Sequence, residues 1–388
     1  MLTSTGLAAL RAKATQDPGV GDFFSPPTGI ANAPAPQQDW HGALPQPSAP
    51  AQPLFSGALG GGEPFGSGGF VGSQDDSGEF QPDQRLIAST GWRKAVAVMT
   101  FGLIKPGPSA KQLHDDEIMR RIRGSLMGVY TVAFVNSKGG VGKTSMAVAA
   151  GNAIARERGD RVVVVDVDPD LGNLSARFRQ TGGPQANIEA LASLQDARSY
   201  SNVSNFTVQN DDRLEMVASQ NDPRSSYRLN SQDFESVMKI LRLHYNVIIL
   251  DCGTSITSSL FKTIAKQVDC LVVVASNEAP GLNGAYRTLL WLQSHGFSRL
   301  LPRTVVALNS SRGDKAAVDM KDAENRFREV VEEVVRVPYD KHLHEGGYID
   351  FSSMGKKTRK AVMELAGSIA LHYPTRQSHQ RPEELGRY

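Results

Sequence analysis

Seven consecutive residues carry the clearest chemistry in this 388-residue chain: Lys138-Gly139-Gly140-Val141-Gly142-Lys143-Thr144. They follow the β-branched run Tyr130-Thr-Val-Ala-Phe-Val135 and precede the helix-prone run Ser145-Met-Ala-Val-Ala-Ala-Gly-Asn-Ala-Ile154. Glycines let backbone N–H groups converge on phosphate oxygens, because no Cβ blocks the approach. A helix starting at the end of the loop adds unpaired donors and partial positive charge. Lys143 can then neutralise the terminal phosphates, and the Thr144 hydroxyl can ligate Mg²⁺. Strand, glycine loop and helix in that order distinguish this pattern from an incidental glycine turn. The expected ligand is ATP with Mg²⁺, held by Gly139, Gly140, Val141, Gly142, Lys143, Thr144 and Ser145.

Two further runs deliver acids. Val162-Val-Val-Val-Asp166-Val-Asp168-Pro169-Asp170 reads as a buried strand with carboxylates at its C-terminal end, where α/β sheets place ligands. Acids in that position also cap helices, so the run alone leaves both readings open. Val247-Ile-Ile-Leu-Asp251 repeats the pattern, and Asp251 is the expected holder of Mg²⁺ through water. Cys252 has no histidine near it in sequence and reads as a small strand-end residue. His342 and His344, in Lys341-His-Leu-His-Glu345, lack the carboxylate arrangement of a metal site and read as a surface loop.

Lys138 is a lysine that a phosphate loop does not itself need. With it, the loop resembles the deviant Walker A loop of the MinD/ParA family of P-loop ATPases. The resemblance implies that Lys138 reaches across a homodimer interface to the partner's nucleotide, a cation supplied in trans to the transferred phosphoryl group. It also implies that Asp168 orients the attacking water and that Asp166 is the carboxylate beside it, at the metal ion with Thr144 and Asp251. Asn309 matches the family's adenine-contacting residue, although an Asn after a strand is also an ordinary turn residue. Pro338, in Val337-Pro338-Tyr339-Asp340, matches the loop that closes over the base. One position departs: the family usually has proline two residues after the acid matched by Asp251, and this chain has Gly253, followed by Thr254.

A narrower resemblance rests on Trp92-Arg93, Arg121-Ile-Arg123 and Pro338-Tyr-Asp-Lys-His-Leu-His-Glu-Gly346. These segments are similar to the EspI-like ATPases that accompany actinobacterial type VII (ESX) secretion systems and carry long proline-rich N-terminal regions. That implies a slow ATPase switching between ATP dimer and ADP monomer, which meets a secretion-system component through its N-terminal region.

The elements that position these residues are legible from periodicity. Apolar residues at successive positions in Tyr130–Val135, Val162–Val165, Asn246–Leu250, Leu271–Val274 and Thr304–Leu308 imply strands covered on both faces, as in a parallel sheet. Helical patterns fall near 143–158, 231–243, 281–295, 316–333 and 355–372. The expectation is a doubly wound, mostly parallel α/β domain over 129–374. Residues 1–84 hold eleven of the 21 prolines, with two basic and eight acidic side chains, and read as disordered. Their scattered aromatics could also be docking motifs. Residues 85–128, with eight basic and three acidic side chains, read as a basic helical extension packed on the domain, with membrane or nucleic-acid contact as the alternative. Residues 375–388 read as a polar tail.

Composition excludes little. A net charge of +2 carries no argument for a polyanion partner. Two cysteines make no disulfide framework, so a reducing cytoplasm is expected. No apolar run approaches the ~18 residues of a membrane span, so a partner would have to recruit the chain to the membrane's inner face. The main competing function is a ParA-like partition ATPase, with Lys356-Lys357-Thr358-Arg359-Lys360 meeting the phosphates of nonspecific DNA. A MinD-like membrane anchor is disfavoured, since residues 376–388 have no apolar face.

Overall fold

All five β-branched runs form strands, and they lie in one eight-stranded sheet. The structure, a computed structural model, describes Met99 and residues 109–374, apart from 171, 180–185, 221–223, 311–312 and 314–317. The expectations for 1–84 and 375–388, and that for Trp92–Val96, lie outside the described residues. The strands are β1 (Tyr130–Val135), β2 (Val162–Val167), β3 (Val208–Gln209), β4 (Leu214–Val217), β5 (Val247–Cys252), β6 (Cys270–Ser276), β7 (Thr304–Asn309) and β8 (Glu333–Val337). Their order is β3-β4-β2-β5-β1-β6-β7-β8, and every pairing except β3–β4 is parallel. β1 lies between β5 and β6, so the chain leaves it in one direction and later returns on the other side. That switch point is where such sheets bind ligands.

Successive side chains of β1 serve opposite faces. Ala133 and Val135 join one core, while Tyr130, Val132 and Phe134 join the other. The second face is covered by α1 (Ala110–Ile122), α2 (Lys143–Glu157) and α10 (Lys356–Ala370). The helices between α2 and α10 are α3 (Ile188–Ala192), α4 (Tyr200–Ser204), α5 (Ser231–Leu241), α6 (Ser259–Gln267), α7 (Ala279–Ser294), α8 (Met320–Arg328) and α9 (Lys341–His344). Of these, α5, α6, α7 and α8 pack on the first face. Alternation of strand and helix follows because a parallel strand needs a crossover, and a helix covers the sheet while making it.

Several elements differ from expectation. The helical pattern of 316–333 yields only α8, and the chain then turns into β8. β8 begins where the helical pattern was expected to end, and its β-branched Val334, Val335 and Val337 pair with β7. Strands β3 and β4 at the opposite edge carry no strong alternation, and α6 was not legible as a helix.

The basic extension is described from residue 109. In α1, Ile118 and Ile122 are buried, and Ile118 packs 3.0 Å from where a Cβ on Gly367 of α10 would stand. Arg158 Nη1 donates to the Ile122 and Gly124 carbonyls at 2.7 and 2.9 Å. Arg123 pairs with Glu157 at 2.7 Å.

Candidate functional site

The phosphate loop leaves β1 and enters α2 through two glycines in the left-handed region, Gly140 (φ 76°) and Gly142 (φ 94°). An L side chain is strained at either position. No side chain caps α2. Its first-turn N–H groups therefore remain available to an anion at the helix start.

The loop is pinned from both sides. Asn136, fully buried, donates from Nδ2 to the Val274 carbonyl at 2.6 Å and accepts from the Lys138 N–H at 2.8 Å. On the other side, Asn309 Nδ2 donates to the Val141 carbonyl at 3.0 Å, and a Cβ on Gly142 would collide with that amide. Asn136 was not singled out from sequence. The only available signal was a polar residue directly after an apolar strand.

The loop's two lysines face different surroundings. Lys143 is half-buried, and its ammonium acts on the buried Asp251. Lys138 is exposed and forms no ion pair among the described residues.

The two strand-end acids pair in register, Asp166 with Asp251, on adjacent β2 and β5. Burial raises both carboxyl groups above the ordinary range. For Asp251, the Asp166 charge adds to the rise, while the Thr144 hydroxyl and Lys143 ammonium oppose it. Their hydrogen bonding differs sharply. Asp166 accepts from the Asp168 N–H (3.2 Å), the Leu174 N–H (3.1 Å) and the Ser219 hydroxyl (3.1 Å). It therefore holds together the loop that carries Asp168, and Gly172 packs directly on its carboxylate. Ser219 had no sequence signal at all. Asp251 Oδ1 is buried with no hydrogen-bond partner among the described residues. A buried carboxylate oxygen left over beside a threonine hydroxyl and a helix start fits Mg²⁺ bound to a nucleotide phosphate. The donors present thus fit the ion through Thr144 and Asp251, with Asp166 turned to the loop.

Asp168 is half-buried and accepts from the Asp170 N–H at 3.0 Å. A Cβ on Gly253 would lie 2.6 Å from its Oδ1. The departure at position 253 is thereby given a physical consequence: the absence of a side chain seats Asp168 against the segment after β5. Burial pushes the Cys252 thiol well up, in keeping with a packing role.

On the side where the resemblance expects the base, the loops after β7 and β8 meet. Ser310 N–H donates to the Val337 carbonyl at 2.9 Å, and the Tyr339 ring lies 3.4 Å from where a Cβ on Gly313 would stand. Pro338 is half-buried between them and Asp340, which caps α9. A cleft of about 660 Å³ opens beside Tyr339, lined also by Lys341, His342, Lys356 and Lys357, and it shares no lining residue with the phosphate loop. His342 Nε2 accepts from the Asp350 N–H at 3.0 Å. In the lysine cluster of α10, Lys360 pairs with Asp115 and Glu364 and Arg359 bonds the Ser352 carbonyl, leaving Lys356 and Lys357 exposed.

A family model described as the CobQ/CobB/MinD/ParA nucleotide-binding domain matches residues 132–381. The chain belongs to that family. The matched segment begins in β1 and includes the phosphate loop, both acids and Asn309. Among solved structures, this MinD/ParA domain is similar to a ParA family ATPase from Chlorobium tepidum, with a TM-score of 0.51 and 19% identity over 62% of this chain and 98% of that one. The cell division ATPase MinD of Pyrococcus furiosus gives a TM-score of 0.50 and 20% identity over 63% and 98%. Both likenesses concern the fold. In sequence, the chain is 29% identical over 289 residues to the ESX-1 secretion-associated protein EspI of Mycobacterium tuberculosis, covering 74% of this chain. It spans 43% of that relative's length. Among the described residues, no helix is long and apolar enough to cross a membrane.

Proposed function

We propose that this MinD/ParA-family domain hydrolyses ATP slowly as a nucleotide-sandwich dimer and returns to a monomer with ADP. The observation that carries the reading is the division of labour between the loop's two lysines. Lys143 lies by the buried carboxylates and serves its own chain's phosphates. Lys138 projects from the same loop into solvent without an ion-pair partner among the described residues, and is free to serve another chain.

Loop backbone N–H groups and the α2 N-terminus bind the phosphates, and Lys143 neutralises their charge. Thr144 and Asp251 would hold Mg²⁺, which would supply positive charge to offset that developing on the phosphates. Asp168 orients a water for in-line attack on the terminal phosphorus, giving ADP and inorganic phosphate. Asp166 and Ser219 keep Asp168's loop in register. Asn309 and the Pro338 loop border the base. Because the partner's Lys138 completes the site, turnover requires dimerisation and is slow in the monomer.

The similarity to EspI, with the secretion association in that protein's name, supports a role beside a type VII secretion machine, with the partner met through the N-terminal region. Light scattering tests the dimer. The wild-type mass should double with Mg·ATP and not with Mg·ADP, and Lys138→Ala should stay monomeric while still binding ATP. A Lys138→Ala protein that dimerises and turns over normally would sink the reading. Pull-down of a secretion component by Asp168→Ala protein, with and without residues 1–84, tests the pathway. Capture that is indifferent to nucleotide and to the tail would remove it.

A further inference from the structure

We propose that Arg177 is a phosphate-binding cation of this site, acting within its own chain on the terminal phosphate of the bound triphosphate. The inference rests on the ATP reading above and adds to it a residue that the loop motif does not contain.

Arg177 closes the 3-10 turn Ser175–Arg177, which begins directly after Leu174. The Leu174 N–H is held by Asp166, so Arg177 hangs from the end of the loop that carries Asp168. Its Nε is buried and has no hydrogen-bond partner among the described residues. It also forms no carboxylate ion pair among them, whereas Arg156 and Arg158 pair with Asp212 and Asp160. Among the described residues its guanidinium makes one hydrogen bond, a long one from Nη1 to the Gly347 carbonyl at 3.4 Å.

The surroundings make room for the guanidinium. Gly346 turns beside it in the left-handed region (φ 72°), and a Cβ there would stand 3.4 Å from Nη1. The backbone next to the turn is tied down, since the Ile349 N–H donates to the Arg177 carbonyl at 2.9 Å. Burial pulls the group below its ordinary basicity, and the acid that opposes this is Asp251. Asp251 is the carboxylate beside Thr144 and Lys143.

A permanently charged, half-buried guanidinium whose buried Nε–H has no partner is costly unless an anion completes it. Its planar fork matches two oxygens of one phosphate. The inner phosphates are already served by the loop backbone. In the ATP reading Asp168 acts at the outermost one, and Arg177 shares that loop's backbone. A peg for the Gly347 carbonyl would need neither the charge nor the fork.

The test uses the full-length chain and calorimetry with Mg²⁺ plus either ADP or a slowly hydrolysed ATP analogue. Arg177→Gln should weaken the triphosphate analogue about tenfold to a hundredfold, while ADP affinity changes less than about twofold. Arg177→Lys, which keeps the charge and loses the fork, should fall between. Equal losses for both nucleotides, or no loss for either, would make Arg177 a structural peg and overturn the proposal. Thermal unfolding without nucleotide checks the fold. If Arg177→Gln does not fold, Arg177→Lys decides, and unchanged triphosphate affinity in it overturns the proposal. A wild-type chain that binds neither nucleotide defeats the ATP reading itself, a different result from any of these.

Discussion

The proposed phosphate side and the proposed base side of this site are built in opposite ways. The phosphate side is backbone: a seven-residue loop, two left-handed glycines and an uncapped helix start, all within one stretch of chain. The base side is assembled from loops after β7 and β8 that meet through Gly313, Tyr339 and Ser310. Asn309 joins the two sides, since it ends β7 yet bonds the Val141 carbonyl of the loop. The comparison teaches that a glycine cradle can be encoded within one stretch of chain, whereas the groups that brace and flank it come from distant segments.

The largest expected effect separates binding from turnover on the phosphate side itself. Lys138→Ala should lower ATP turnover about a thousandfold, the scale of a cation supplied in trans, with ATP affinity kept. Steady-state phosphate release alongside calorimetry checks this, and parallel loss of both would mean that Lys138 serves its own chain.

Lys143→Ala should weaken ATP and ADP alike by about a hundredfold, because a charge-assisted contact is lost in a part-buried site. Retained affinity in a binding titration would show that the loop backbone alone suffices.

Gly253→Pro, which installs the residue usual in the resembling family, puts atoms where Asp168 now sits. Turnover should change by about tenfold to a hundredfold, as misplacement of a positioning group does, with ATP affinity little altered. Single-turnover kinetics would reveal an unchanged rate if Asp168 does not act from that seat.

The smallest effect is the sharpest test of the comparison. Asn309→Ala should cost about fivefold in affinity, the worth of one buried hydrogen bond. If Asn309 braces the loop, ATP and GTP lose equally. If it reads adenine, ATP alone loses, and Asn309 belongs to the base side.

Legibility followed the same division. The strand carrying the loop, the loop's lysines and Asp251 could be read directly, because periodicity and glycine spacing are local. The bond from Asn309 to Val141 could not, since 168 positions separate the partners. The bond that Asp166 accepts from the Ser219 hydroxyl could not be read either, since the two lie 53 positions apart. β8 carried no strand reading because its pairing with β7 is non-local. Arg177 gave no sequence signal, because a lone arginine after a loop is ordinary until its burial is known.

By itself, the order of residues determined a covered parallel sheet and a phosphate cradle, since both depend on near-neighbour patterns of side-chain size and backbone freedom. Only the tertiary structure decided which carboxylate oxygen is left without a partner, which lysine faces outward and which arginine keeps a buried N–H unused, among the described residues. Those properties belong to what each group touches, and contact between segments far apart in sequence is set by packing.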